Sequence, residues 1–594
     1  MRNCLKISCC ILVAGALLIL SSFNSHSPKA CGKVKQLYLD HLDTLASRLA
    51  RFDTDAAAGD LPALRTDFAQ CRDAYKYTEY IIEYYYPAIA VKMNGPALPE
   101  SEPGDWAEVV MPSGFQVLEA DIFNEEAAQR ILYIRKEVKK LVYLVQNLEQ
   151  QLGSLELHEP ELLDALRMNL YRLASKGIAG FDAPVALRSL EEAIITLQAT
   201  DEAIGELGIS DGTLKKAGEA GVRMLQQSAG NFNGFDRAQF LTACFNPLLK
   251  ALYEAQVKQH IPFLKADRAV RTDAVSFFSP GAFDALFFAP EGTHKASKAL
   301  TDLGAALFRE TALSTGGRSC ASCHLPGKAY SDGLVTNRSL QRDEQLSRNT
   351  PTLINAALQP SLFWDGRVQF LEEQAHDVLL NKAEMAGSLE QMVLWLKGKP
   401  TYYNAFRNAF GKVPDPVTGG HITVALAAYV RSLVQLNTAF DRYMRGETTA
   451  MNQQQIKGFN LFMGKAKCGT CHYMPLFNGV APPDYTMADG EVIGVPGNTD
   501  TLHPIADKDR GIYLLHGVRH MDGAFKTPGL RSIAKTAPYM HNGVYKTLEE
   551  VIDFYDRGGG AGLGLNIPNQ TLPTERLELT QQEKKALIAF LKCI

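Results

Sequence analysis

Two pentads carry the most specific chemistry in this chain: Cys320-Ala321-Ser322-Cys323-His324 and Cys468-Gly469-Thr470-Cys471-His472. Cys-x-x-Cys-His is the attachment signature of c-type haem. Two thiols add to the haem vinyl groups as thioethers and the adjacent imidazole becomes an iron ligand, so one short turn must carry both sulfurs and the ring. Structural zinc needs four ligands, and neither pentad has a second Cys-x-x-Cys or a His-x-x-x-His beside it. A redox dithiol requires no His after its second Cys. The pentads therefore predict two covalent haem c groups, with His324 and His472 as proximal iron ligands.

One haem alone means electron transfer; two haems with a vacant coordination position mean an enzyme. The segments that decide are Arg348-Asn349-Thr350-Pro351-Thr352, Phe363-Trp364-Asp365-Gly366-Arg367, Leu371-Glu372-Glu373-Gln374-Ala375 and Glu384-Met385. After the second pentad come Ala524-Phe525-Lys526-Thr527-Pro528-Gly529-Leu530-Arg531 and Thr536-Ala537-Pro538-Tyr539-Met540-His541-Asn542-Gly543. In this order and spacing the set resembles the bacterial di-haem cytochrome c peroxidases and their relative MauG, across residues 281–594.

The resemblance implies a role for each matching residue. The Cys320/Cys323 haem would be peroxidatic, and Glu384, in Asn381-Lys382-Ala383-Glu384-Met385, would be the general acid/base that moves a proton between the peroxide oxygens. Gln374 is expected to line the same pocket. Read without the motif, Glu384 is a solvated helix residue. Many relatives block the resting iron with a loop His, yet residues 325–347 contain none. That implies a pocket open without prior reduction. His376 and Val378 replace the family's usual residues; His376 is either a polar distal group or a surface or packing residue.

The Cys468/Cys471 haem would be the electron store. Its far ligand in many relatives is a Met fourteen residues after a motif His, and counting from His541 reaches Tyr555, where MauG-like proteins place a Tyr ligand. A phenolate lowers haem potential relative to thioether sulfur. The alternative for Tyr555 is a buried aromatic. Met540 stands where the family packs a Phe and is not expected to ligate. Trp364 matches an indole placed between the haems as a bridge for electrons or holes, against the alternative of a core aromatic. One Ca²⁺ is also implied, held by the side-chain oxygen of Asn349 and the carbonyls of Thr536 and Pro538, all donors suited to a hard cation.

The elements that must position these residues read as mostly α: an N-terminal helical bundle followed by two tandem cytochrome c-type haem domains. Apolar residues recur at helical spacing in Ala127–Leu152, Glu161–Ser175, Val185–Gln198 and Thr213–Gln227, and strand-like alternation is nearly absent. Pro and Gly cluster at Gly95–Gly104 and Gly177–Pro184, marking loops. The expected division is a signal peptide or N-terminal anchor over 1–30, a helical domain over 31–265, and a linker over 266–280. A peroxidatic domain over 281–420 and an electron-transferring domain over 421–594 follow. Ala74-Tyr75 to Pro87 with Gly114-Phe115-Gln116-Val117-Leu118-Glu119 resembles the imelysin-like helical domains of bacterial envelope proteins. Their motif is Gly-x-His-x-x-Glu; with Gln116 in place of the His, packing or partner docking is expected of Gln116 and Glu119 rather than metal binding.

At 594 residues the chain exceeds one ordinary core, and its net charge of −4 argues against a nucleic-acid surface. Arg2 and Lys6 precede an apolar run from Ile7 to Leu20, a signal-peptide profile too short for a spanning helix. Haem c is attached outside the bacterial cytoplasm, so the expected location is the periplasm, soluble or tethered by the N-terminus. Cys31 follows a poor lipobox, and Cys31, Cys71, Cys244 and Cys593 are too scattered for a disulfide scaffold. The expected activity is reduction of hydrogen peroxide to water with electrons from a small cytochrome c or cupredoxin. One alternative is a MauG-like oxidase that draws electrons from residues of a partner protein. The other is a non-catalytic electron carrier or envelope binding module, against which Glu384 and the open site stand.

Overall fold

The first two helices pack antiparallel, with Arg51 facing Asp67 at 3.4 Å and Arg48 donating to the carbonyl of Gln70. They span Pro28–Ala58 and Leu61–Tyr85 in a computed structural model that describes residues 28–594 apart from 103–104, 294 and 342–343. The expected export segment lies outside these residues except for 28–30, which open the first helix. Asp60 caps the second helix by accepting from the Ala63 amide, and Pro62 occupies its first turn, where a missing N–H costs nothing. Cys31 lies inside the first helix and is buried.

The described residues are predominantly helical. Ala127–Leu152 is a 3₁₀ turn over Ala127–Arg130 followed by a helix over Ile131–Leu152, which buries Ile134, Val138, Leu141, Val145 and Leu148. The other periodic segments form helices Glu159–Ser175, Ser189–Glu206 and Gly212–Gln227. Part of the expected loop at 95–104 instead joins a ladder: Glu100–Glu102 pairs antiparallel with Asp105–Val110. Trp106, Val109 and Val110 are strand formers that the Pro/Gly signal obscured. Among the described residues no helix is long and apolar enough to cross a membrane.

The largest apolar cluster joins the N-terminal helices to the second pentad's surroundings. It holds Leu42, Phe52, Tyr75 and Leu166 together with Phe440, Phe459, Phe477 and Phe590. Residues 266–280, expected as a linker, bury Ala269, Val270, Phe277 and Phe278 in that cluster. Polar contacts reinforce the junction. Asn460 accepts from the Ala238 amide (3.0 Å) and donates to Asp236 (2.9 Å), and Asn246 donates to the Met444 carbonyl. The first pentad's surroundings have a separate core, built on Leu307, Met392, Phe406, Ile422 and Leu426.

The same helix crossing occurs twice. Helix Lys298–Leu307 meets Gly419–Arg431 so closely that a Cβ on Gly304 would stand 1.9 Å from the Ala425 oxygen and 2.9 Å from Tyr429. Helix Gln453–Met463 meets Gln581–Leu591 likewise: a Cβ on Gly458 would stand 2.0 Å from the Ala586 oxygen and 2.7 Å from Phe590. Each pentad follows the first helix of its crossing.

Candidate functional site

Both pentad turns are pinned by their own backbone. The amides of His324 and His472 each donate to the carbonyl of the pentad's first Cys, at 2.9 Å. Each imidazole then spends Nδ1–H on a main-chain carbonyl: His324 on Tyr330 (2.8 Å), His472 on Pro528 (3.1 Å). That choice of tautomer leaves Nε2 with its lone pair, the form that ligates iron. Burial lowers the affinity of both rings for a proton, His472 to about 4, so both stay neutral. Burial also pushes the Cys320 and Cys468 thiols up to about 12 and raises Cys323 and Cys471. None of the four is in a disulfide. Each turn offers two thiols and one neutral imidazole, the set that haem attachment uses. The donor sets fit haem c. So do two buried polar atoms without partners, Arg318 Nη1 two residues before the first pentad and Thr527 Oγ1 on the wall beside the second.

One cavity reaches the second pentad and another holds Glu384. The larger, about 660 Å³, is lined by Cys468, Cys471, His472, Tyr555, Trp364 and Gln374 among others. That volume is in the range of cofactor sites, roughly 300–1,000 Å³. The smaller, about 380 Å³, is lined by Arg367, His376, Asn381 and Glu384. Phe363 borders both. Gln374 and Glu384, expected in one pocket, thus line different cavities. Helix Leu371–Leu380 carries Gln374, while Glu384 stands on the turn beyond its end.

Glu384 is partly buried, and Asn381 holds it by donating Nδ2–H to its carboxylate at 2.8 Å. Burial raises its pKa, opposed by Arg367, the Asn381 bond and Arg318. Its charge in turn helps raise the Cys323 thiol, so the carboxylate and the first pentad are electrostatic neighbours. His376 shares the smaller cavity, half-exposed, 3.8 Å from Asp377.

Trp364 donates Nε1–H to the Asn349 carbonyl at 2.9 Å, and its own carbonyl accepts from the Lys526 amide at 2.8 Å. Its ring meets His541 edge-on at 6.4 Å, and His541 stacks on Phe525 at 3.6 Å. Asn349 donates Nδ2–H to the carbonyls of Leu334 (2.7 Å) and Val335 (3.2 Å), which leaves its side-chain oxygen available to a cation. Thr536 and Pro538 line the same large cavity as Asn349. Tyr555, on helix Leu548–Asp556, lines it beside Cys468 and Cys471, and burial raises its phenol pKa above the usual range.

In the N-terminal helices Gln116 donates to the Asn94 carbonyl (3.0 Å) and Glu119 accepts from the Ala186 amide (2.7 Å). Beside them Arg72 pairs with Glu192, and Lys76 and Arg172 both pair with Asp182. Among the described residues no cluster of three His, Cys, Asp or Glu could hold a metal ion. Sequence reasoning passed over Arg318, His541 and Lys526. A cation two residues before a pentad, and a Lys inside Ala-Phe-Lys-Thr-Pro, were the available signals.

The di-haem cytochrome c peroxidase family model matches residues 298–449. Cytochrome-c peroxidase IdrP1 of Pseudomonas sp. is 35% identical over 309 residues, spanning 49% of this chain and 79% of that protein. Methylamine utilization protein MauG of Methylorubrum extorquens is 35% identical over 319 residues, 53% and 84% of the two chains. Cytochrome c551 peroxidase of Nitrosomonas europaea is 31% identical over 296 residues, 50% and 79%. With its paired haem-attachment turns, the chain belongs to the di-haem cytochrome c peroxidase and MauG family and is a peroxidase-type oxidoreductase.

Proposed function

We propose that the chain reduces hydrogen peroxide to water at the first pentad, with electrons received from a small redox protein through the second. The haems, held by Cys320, Cys323 and His324 and by Cys468, Cys471 and His472, supply the redox chemistry when bound. The chain's own part is to hold and move protons and to connect the two sites. Glu384 is the proton carrier. A carboxyl whose pKa is raised by burial holds and returns a proton more evenly than an ordinary Glu, and Asn381 fixes which oxygen is free to do so. Arg367 and Arg318 keep the ionised form accessible.

Trp364 is the connection between the sites. It lines the cavity of the second pentad and follows Phe363, which borders both cavities. Asn349, with Thr536 and Pro538, would hold one Ca²⁺ and so fix the carbonyl on which the indole rests. His472 and Tyr555 would ligate the second iron. Gln374 lines the cavity that also holds Trp364. The domain division places the peroxidatic unit at 281–420 and the electron-transferring unit at 421–594, in the periplasm.

The observation that carries this reading is Glu384, partly buried, held by Asn381 on the wall of a cavity and close enough to the first pentad for its charge to raise the Cys323 thiol. Glu384→Gln tests it: turnover should fall by about 10²–10⁴ while both haem spectra persist. Near-wild-type turnover would remove Glu384 from the reaction. Tyr555 beside Cys468 and Cys471 favours a second reading, a MauG-like oxidase that takes electrons from residues of a partner protein.

A further inference from the structure

Lys526 is a buried cation without a counter-charge. Its residue is 9% exposed, and its ammonium donates to the side-chain oxygen of Gln359. Among the described residues no carboxylate pairs with it. Acids of the neighbouring segments are engaged elsewhere: Asp365 with Arg348 and Arg367, Asp509 with Arg348, and Asp489 with Tyr473. Burial brings its pKa down to about 8, with no charge offsetting it. A desolvated ammonium in such a place is stabilised when something anionic meets it.

The backbone aims this side chain deliberately. Phe525–Lys526 pairs antiparallel with Gly490–Glu491, and Lys526 stands opposite Gly490. Alternation sends neighbouring side chains to opposite faces, so Phe525 stacks on His541 while Lys526 takes the other side. Lys526 lines the large cavity together with His472, Trp364 and Gln359.

We propose that Lys526 binds a haem carboxylate, so that the haem itself completes the ion pair that the chain leaves open. This rests on the reading of two bound haems. Each haem brings two propionates into a largely apolar site, and each propionate needs a cation or water. An ammonium beside a propionate offsets its negative charge at the iron. Without the ammonium, the uncompensated carboxylate favours the oxidised metal and the midpoint potential falls.

The test compares Lys526→Met and Lys526→Arg with wild type as haem-loaded protein, by spectroelectrochemical titration and by the propionate bending modes in resonance Raman spectra. In K526M one haem should lose potential and its propionate mode should shift, and K526R should restore both. The haem that responds identifies which carboxylate is held. Two haems with unmoved potentials and modes in K526M would overturn the inference, whereas fewer than two haems in wild type would overturn the reading beneath it. If K526M does not load haem, K526Q, uncharged but able to reach Gln359, is read in the same way.

Discussion

Trp364 and Asn349 are joined by one hydrogen bond, indole N–H to main-chain carbonyl, at 2.9 Å. A carbonyl cannot take the indole proton, so any charge passing through Trp364 leaves its N–H intact. The residue that receives this bond also offers its side-chain oxygen to a cation. The proposed conduit and the candidate calcium site therefore share Asn349.

Asn349→Ala should lose bound calcium and slow electron transfer between the haems by about tenfold, the effect of one or two hydrogen bonds at 0.5–1.5 kcal/mol each. Atomic emission gives the calcium content and stopped-flow reduction the rate. Trp364→Phe, which keeps a ring but deletes the N–H, should slow the same step without changing calcium. Equal calcium in wild type and Asn349→Ala would separate the two roles.

Glu384 predicts a pH profile. Its pKa is raised by burial, so the carboxylate form needed to accept the first proton is lost at a higher pH than for an ordinary Glu. Values of kcat/KM should fall on the acid side with a midpoint above about 4.5, and Glu384→Asp should move that midpoint. An acid limb unchanged in Glu384→Asp would assign it to another group.

Residues 325–347 bring no His to the first site. The oxidised protein should then show one high-spin and one low-spin haem by electron paramagnetic resonance and react with peroxide without prior reduction. A wholly low-spin, inert protein would point to another ligand, with His376 the first to replace. Tyr555→Met should raise the potential of the second haem, since thioether favours ferrous iron more than phenolate does.

Glu119 makes a stability prediction. Burial raises its pKa from 4.5 to about 7. The folded state therefore keeps a proton that the unfolded chain releases. Its contribution is full below about 4.5 and declines as pH rises to about 7, by about 3 kcal/mol in all. Glu119→Gln should flatten that part of the thermal-midpoint profile and melt higher than wild type at pH 8. A profile as steep as wild type would locate the titration elsewhere.

The pentads were legible because haem attachment fixes residue types and spacing within five positions. The helices were legible because burying one face imposes a period, and the segment at Ser189–Glu206 differed from expectation only in its ends. The distribution of Gln374 and Glu384 over two cavities was not, because it depends on how Phe363 and its neighbours pack and not on spacing. Nor was the single cluster that holds both Leu42 and Phe590, since packing across so long a stretch of chain leaves no local pattern. Lys526 stood in a quoted motif, yet only the ladder to Gly490 and the distribution of neighbouring acids reveal that its charge is unmatched.

That shared core sets an order of events in time. Helix Pro28–Ala58 is made early, yet its cluster includes Leu587 and Phe590 from helix Gln581–Leu591. Contacts so distant along the chain close slowly, because loop entropy is lost before they form. The separate core around Leu307 and Leu426 spans a much shorter stretch. The unit around the first pentad thus closes within a short stretch, whereas the cluster that holds the early helices is complete only once the last helix is made.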